Sequence, residues 1–188
     1  MARPTASLRL RDIDPDALAA SVTEAVTEYL GRLSLPLSPG LTIHVSGPHG
    51  ATGIGLTLLD LTRYARGEGS LEGPVSDYAL ELVPLLDSPL APHTGDLPPV
   101  LSKWFRGDVD LSTLRTDSLP DRIALVITAA FAREALASGA HVSVGQVAAL
   151  AGVDPDHVRL LARKGEIVAE GGHVSAGEAQ RWLSTRVG

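Results

Sequence analysis

The sequence predicts a mainly α fold: an α-helical N-terminal body with one short strand, followed by a small, heavily punctuated helical module at the C-terminal end. Three observations carry that expectation. Hydrophobic residues are 44% of the chain and aromatics only 4%, a balance that favours aliphatic helix packing over an aromatic-rich β-sandwich. Apolar residues recur at three- and four-residue spacing in several segments, as in helices with one buried face. Those segments also carry helix punctuation, with Asp then Pro at 14–15 and 154–155, and Ser ahead of Gln146 and Glu178.

In chain order, Asp14 and Pro15 open a first helix along which Leu18, Val22, Ala25, Val26, Tyr29 and Leu33 fall at helical spacing, with Gly31 and the proline-rich run 34–40 expected to close it. Residues 41–45 alternate and include β-branched side chains, which predicts a short strand. Thr52 to Arg66 reads as a helix with Leu58, Leu59, Leu61 and Thr62 inward, Arg63 and Arg66 near its negative end and Gly67 beyond it. After a loop at 67–73, Pro74 to Leu86 predicts a helix with Tyr78, Leu82 and Leu85 on one face, kinked or ended by Pro84. The stretch 87–99 holds Pro89, Pro92, Pro98 and Pro99 with Gly95, too much proline for regular structure. Trp104 and Phe105 are expected as packing anchors in one or two helical turns over 100–106. Ser118 then starts a hydrophobic helix that runs to Ala137 and ends at Gly139.

The last quarter of the chain is the most informative. Ser143 and Gln146 can each satisfy an orphan amide of a first helical turn, the capping-box arrangement, and Gly152 stands where a left-handed residue closes that helix. Asp154 can cap a second helix whose first position, Pro155, has no N–H to lose. Residues 166–174 form two β-prone pieces around Gly171 and Gly172, a hairpin signal. Ser175 and Glu178 make a second possible capping box ahead of Ala179, Trp182 and Leu183, which share one helical face. Helix, turn, helix, hairpin, helix is the grammar of a C-terminal winged helix-turn-helix. The expected division is a body over 1–99 ending in the proline-rich linker, connector helices over 100–140 and the winged module over 141–188.

Three pieces of this module, 147–154, 157–165 and 178–183, resemble the excisionase-like and MerR-like winged helix-turn-helix modules of bacterial DNA-binding proteins. The resemblance covers roughly the last quarter of the chain and leaves the N-terminal body unassigned. It implies a sequence-specific DNA-binding protein, a transcriptional repressor or accessory regulator that acts as a homodimer on double-stranded DNA. In that reading the second helix enters the major groove, with Asp156, His157, Arg159, Leu160, Arg163 and Lys164 facing DNA and Val158, Leu161 and Ala162 facing the module core. Arg159 and Arg163 are candidates for guanine contacts, Lys164 for phosphate and Asp156 for a cytosine amine. Ser143, Gln146 and, in the wing, His173 complete the candidate DNA-binding set.

Charge bounds this reading. The formal net charge of −6 excludes a surface basic all over, so any DNA contact must be local. Over 141–188 the five basic residues Arg159, Arg163, Lys164, Arg181 and Arg186 balance the five acidic residues Asp154, Asp156, Glu166, Glu170 and Glu178. Arg159, Arg163 and Lys164 nevertheless share one side of the second helix, and dimerisation doubles that patch. The alternative from another class is a protein–protein adaptor or assembly protein, in which a degenerate winged module and the acidic body bind a protein partner.

A third reading is a nucleotide-binding regulator. Gly47, Gly50 and Gly53 follow a predicted strand and precede a predicted helix, where a phosphate could sit. The chain lacks the following alternation of strands and helices that builds a dinucleotide fold, and it has no Gly-Lys-Ser/Thr phosphate loop. His44, His49 and Asp60 match no familiar metal-ligand spacing, and no Gly-x-Ser-x-Gly elbow holds a nucleophile. Neither a cofactor, a metal nor an enzymatic activity is therefore expected. With 0 cysteines, disulfides and thiolate chemistry are excluded and a reducing, cytoplasmic setting fits. The N-terminal residues show no apolar export segment, and no run of apolar residues is long enough to span a membrane.

Overall fold

A computed structural model of the protein describes residues 8–37, 51–82, 114 and 118–186. Among them the chain is mainly α-helical with a small antiparallel sheet. After a 3-10 turn at Leu10–Asp12 come α1 (Pro15–Leu37), α2 (Ala51–Arg66), α3 (Val75–Leu82) and α4 (Leu119–Ala137). Then follow β1 (Val142–Ser143), α5 (Val144–Ala151), α6 (Pro155–Arg163), β2 (Ala169–Glu170), β3 (His173–Val174) and α7 (Ala176–Ser184).

The helices form where apolar spacing and end groups agree. Asp14 accepts from the Asp16 amide at 3.0 Å and caps α1, which buries Leu18, Val22 and Val26 at steps of four. The helix passes through Gly31 to Leu37, further than the expected stop. In α2, Leu58, Leu61 and Thr62 are buried as expected, and the Thr62 hydroxyl is satisfied by the Leu58 carbonyl at 2.7 Å. Leu59 is only half-buried. The predicted strand at 41–45, the linker at 87–99, the anchors Trp104 and Phe105 and the end of the helix predicted to Leu86 lie outside the described residues.

The central element is α4. Ser118 caps it through the Asp121 amide at 3.3 Å, and Pro120 occupies its first turn. Every residue from Ile123 to Ala132 is buried, as in a helix packed on all sides. It contacts α2 and α3 of the body and also α5 and α7 of the C-terminal module. Buried side chains of body, connector and module consequently make one contiguous core that includes Leu18, Leu61, Val75, Ile127, Val147, Leu161 and Trp182. Polar side chains reinforce the joints: Glu134 accepts the Val75 amide at 2.9 Å, Arg133 donates to the Ala65 carbonyl at 3.1 Å, and Gln180 donates to the Leu136 carbonyl at 3.2 Å.

The sheet has strand order β1-β3-β2, with both pairings antiparallel. The predicted hairpin is β2 and β3, turned by Gly171 at φ 56° and Gly172 at φ 82°, positive at both central positions as a two-residue hairpin loop demands. The third strand, β1, adds Val142 opposite Val174 and Ser143 opposite His173. It ties the wing to the start of α5. Among the described residues, no helix is long and apolar enough to cross a membrane.

Candidate nucleic-acid interface

The helix pair is built by its ends. Ser143 accepts the Gln146 amide at 3.1 Å, and the Gln146 side-chain oxygen accepts the Ser143 amide at 2.8 Å, so the capping box is complete. Gly152 adopts φ 63° and closes α5, with the Val153 amide returning to the Ala148 carbonyl at 3.1 Å. Asp154 accepts the Asp156 amide at 2.7 Å, and Pro155 takes the first position of α6. These ends set α6 outside α5 with a buried stripe of Pro155, Val158 and Leu161.

The other face of α6 is open. Asp156, His157, Arg159, Leu160, Arg163 and Lys164 are all exposed, and helical geometry places them on one broad side. Arg159 is not free on that face, because its guanidinium bonds Asp156 at 2.6 Å. With side chains 55% and 82% exposed, such a pair holds the side chain by only about 0–1 kcal/mol, so a better acceptor can take the guanidinium. No ion pair or hydrogen bond from a side-chain nitrogen of Arg163 or Lys164 occurs among the described residues. The carboxylate cost of the face is therefore concentrated at the start of α6 and its cationic part at the end.

Two candidates do not belong to this surface. Ser143 and Gln146 are 8% and 6% exposed, and the side-chain oxygen of each accepts the backbone amide of the other. They hold the entry of α5 and do not reach outward, which corrects their assignment as DNA contacts. A phosphate accepts hydrogen bonds, so a contact would need the Ser143 hydroxyl or the Gln146 amide N–H groups at the surface, and both side chains are buried. Likewise, the second capping box is half-formed. Ser175 accepts the Glu178 amide at 3.4 Å, but the Glu178 carboxylate turns to the Val168 amide at 3.0 Å and to Arg181 at 2.6 Å. The Arg181 side-chain hydrogen bond, then the Val168 amide, draws the Glu178 pKa down from 4.5 to about 2, and Glu178 in turn raises that of Arg181. Arg181 also reaches the Glu166 carbonyl at 3.5 Å, so this pair fastens the base of the wing to α7.

On the wing, His173 is exposed, with Nδ1 3.1 Å from the Gly171 carbonyl. The strand register sets its side chain beside Glu170, and it shares an open cleft of about 590 Å³ with His141, Val168, Glu170 and Ser175. His141 was not a sequence candidate; it precedes a two-residue strand that no periodicity marks. Two exposed apolar side chains join the outer surface of the module, Leu160 on α6 at 45% and Val168 before β2 at 61%. Sequence did not mark Val168 as outward, because Ile167 beside it is equally apolar and is buried. On the last helix, Arg186 stacks over the Trp182 ring at 4.6 Å.

The alternative glycine turn is described only at its end. Gly47 and Gly50 lie outside the described residues, as do His44 and His49, and Gly53 is in the first turn of α2. Among the described residues, no group of three or more His, Cys, Asp or Glu could hold a metal ion. The fold thus defines a class, a mainly α protein in which a helix pair, a three-stranded wing and a last helix follow α4. No family model, curated protein or solved structure matches the chain.

Proposed function

We propose that this chain is a sequence-specific DNA-binding protein, a transcriptional repressor or accessory regulator of bacterial type working as a cytoplasmic homodimer. The observation that carries the reading is α6: a short helix, capped at the exit of a tight turn, anchored by Val158 and Leu161 and presenting His157, Arg159, Arg163 and Lys164 on one open face. Such a helix fits the major groove. Arg163 and a released Arg159 would read guanine edges, Lys164 would hold phosphate, and Asp156 would accept from a cytosine amine. His173 and the Gly171–Gly172 turn would lie along the adjacent backbone. Two copies would double a cationic patch that one copy provides sparsely. Leu56 and Leu80, each 46% exposed on α2 and α3, offer the body an apolar surface for pairing.

Arg159→Ala and Arg163→Ala should each weaken binding to a selected duplex by about 1–3 kcal/mol if they chelate guanine. Their thermal unfolding should match that of wild type, since both side chains are exposed. Unchanged affinity in the double variant would remove α6 from the interface.

A second reading, the adaptor, is favoured by one observation. Leu160 lies in the open face of α6 and Val168 is the most exposed of the large apolar side chains on the wing. A protein partner would cover that apolar pair, whereas DNA would gain from it only at a thymine methyl.

A further inference from the structure

The open cleft between α2, α4, α5 and α7 measures about 490 Å³, within the range of small-molecule sites, about 300–1,000 Å³. Its apolar wall includes Leu136, Leu150 and Leu183, one from each of α4, α5 and α7. Its charged lining is of one sign: Arg66 and Arg133 line it, and among the described lining residues none is acidic, although the chain carries a net charge of −6.

The two arginines are not equivalent. Arg66 is engaged on both sides, giving one terminal nitrogen to the Ile13 carbonyl at 3.3 Å and pairing its Nε with Glu68 at 2.8 Å. Arg133 gives Nε to the Ala65 carbonyl at 3.1 Å. Among the described residues, no acceptor meets its two terminal nitrogens. A helix cap alone would use one N–H and leave the rest to water. Here the fork has a formed seat. A Cβ on Gly67 would stand 2.8–2.9 Å from Nη1, Cζ and Nη2 of Arg133 alike, so the face of the guanidinium lies against the glycine backbone. Burial also lowers the Arg133 pKa, ahead of an opposing effect from Tyr64, as for a cation that has lost water without gaining a carboxylate. A planar fork in this state is the best match for a bidentate oxyanion.

We propose that this cleft binds a small amphipathic carboxylate, its carboxylate on the open fork of Arg133 and its hydrocarbon against Leu136, Leu150 and Leu183. The inference rests on the cleft alone and does not depend on the DNA reading. A bare oxyanion would leave the leucine wall uncovered, and an apolar molecule without charge would leave the fork unpaired.

The test is thermal unfolding of the full chain titrated with octanoate, with 1-octanol, octylammonium and inorganic phosphate as comparisons. Octanoate should raise the Tm saturably, with 1-octanol at least about tenfold weaker and phosphate and octylammonium without saturable effect. Arg133→Gln should weaken the octanoate response at least about tenfold. Ala137→Trp fills the cleft from an exposed position at the end of α4; it should abolish the response and keep the unliganded Tm, so the test survives if Arg133→Gln fails to fold. An absent octanoate response, equal responses to octanoate and 1-octanol or phosphate, or an unchanged response in Ala137→Trp would each overturn the proposal.

Discussion

Ser143 pairs with His173 in the sheet and caps α5 in the same step, so one residue joins wing to helix. Its type and its spacing to Gln146 mark a helix start in the sequence. The sequence does not show that both side chains are buried, and burial is what separates a cap from a DNA contact. Glycines were legible for the same kind of reason, since Gly67, Gly139 and Gly152 each follow a periodic run and each takes positive φ. Gly67 and Gly139 differ in their surroundings, which gives a prediction. At Gly139 a Cβ would meet nothing within 4 Å, so Gly139→Ala should lose only the left-handed penalty, about 1–2 kcal/mol. Gly67→Ala has the same penalty at φ 82° and also displaces the Arg133 guanidinium, so denaturant titration should find it the more destabilising. Equal losses would mean that the guanidinium has no fixed seat on Gly67.

At the scale of elements, the wing is held by a charge pair that sequence spacing assigned to a different task. A serine and a glutamate three apart are compatible with a capping box, but Glu178 finds stronger partners in the Val168 amide and Arg181. Only the folded chain brings residue 168 to residue 178, and local spacing carries no information on that approach. The consequence is a pH dependence. Glu178 titrates near 4.5 when unperturbed and at about 2 in the fold, so its stabilising effect is complete above the unfolded value and is lost as pH falls through the folded one. Wild type should therefore lose denaturant resistance across that window more steeply than Glu178→Gln, and the two should converge near its acid end. Parallel acid limbs would show that the carboxylate gains nothing from the wing. For α1, the discrepancy is smaller in kind: glycine and proline weaken a helix but do not mark its last residue, and α1 continues to Leu37.

Across the whole molecule, α4 makes body and module parts of one core. The helical class was readable from composition and periodicity, and the C-terminal motif from its caps and turn glycines. The continuity of the core was not readable, because a uniformly apolar helix does not say which neighbours cover its sides. For function, one consequence follows: a ligand at the α2–α4–α5–α7 cleft touches both the body and the module that carries α6. With the module balanced in charge and Arg159 paired to Asp156, the proposed DNA contact depends on few cations, and a modest number of phosphate contacts sets a modest salt slope.

The central claim is that the open face of α6 reads DNA. It is tested most directly by selecting the purified full chain against a random duplex pool at roughly physiological salt, then measuring affinity for the enriched site as salt is raised. The account predicts enrichment of an inverted repeat, with affinity that falls as salt rises and is lost in the Arg159→Ala, Arg163→Ala double variant. A folded protein that enriches no duplex, or whose enriched site is bound equally by the double variant, would contradict it.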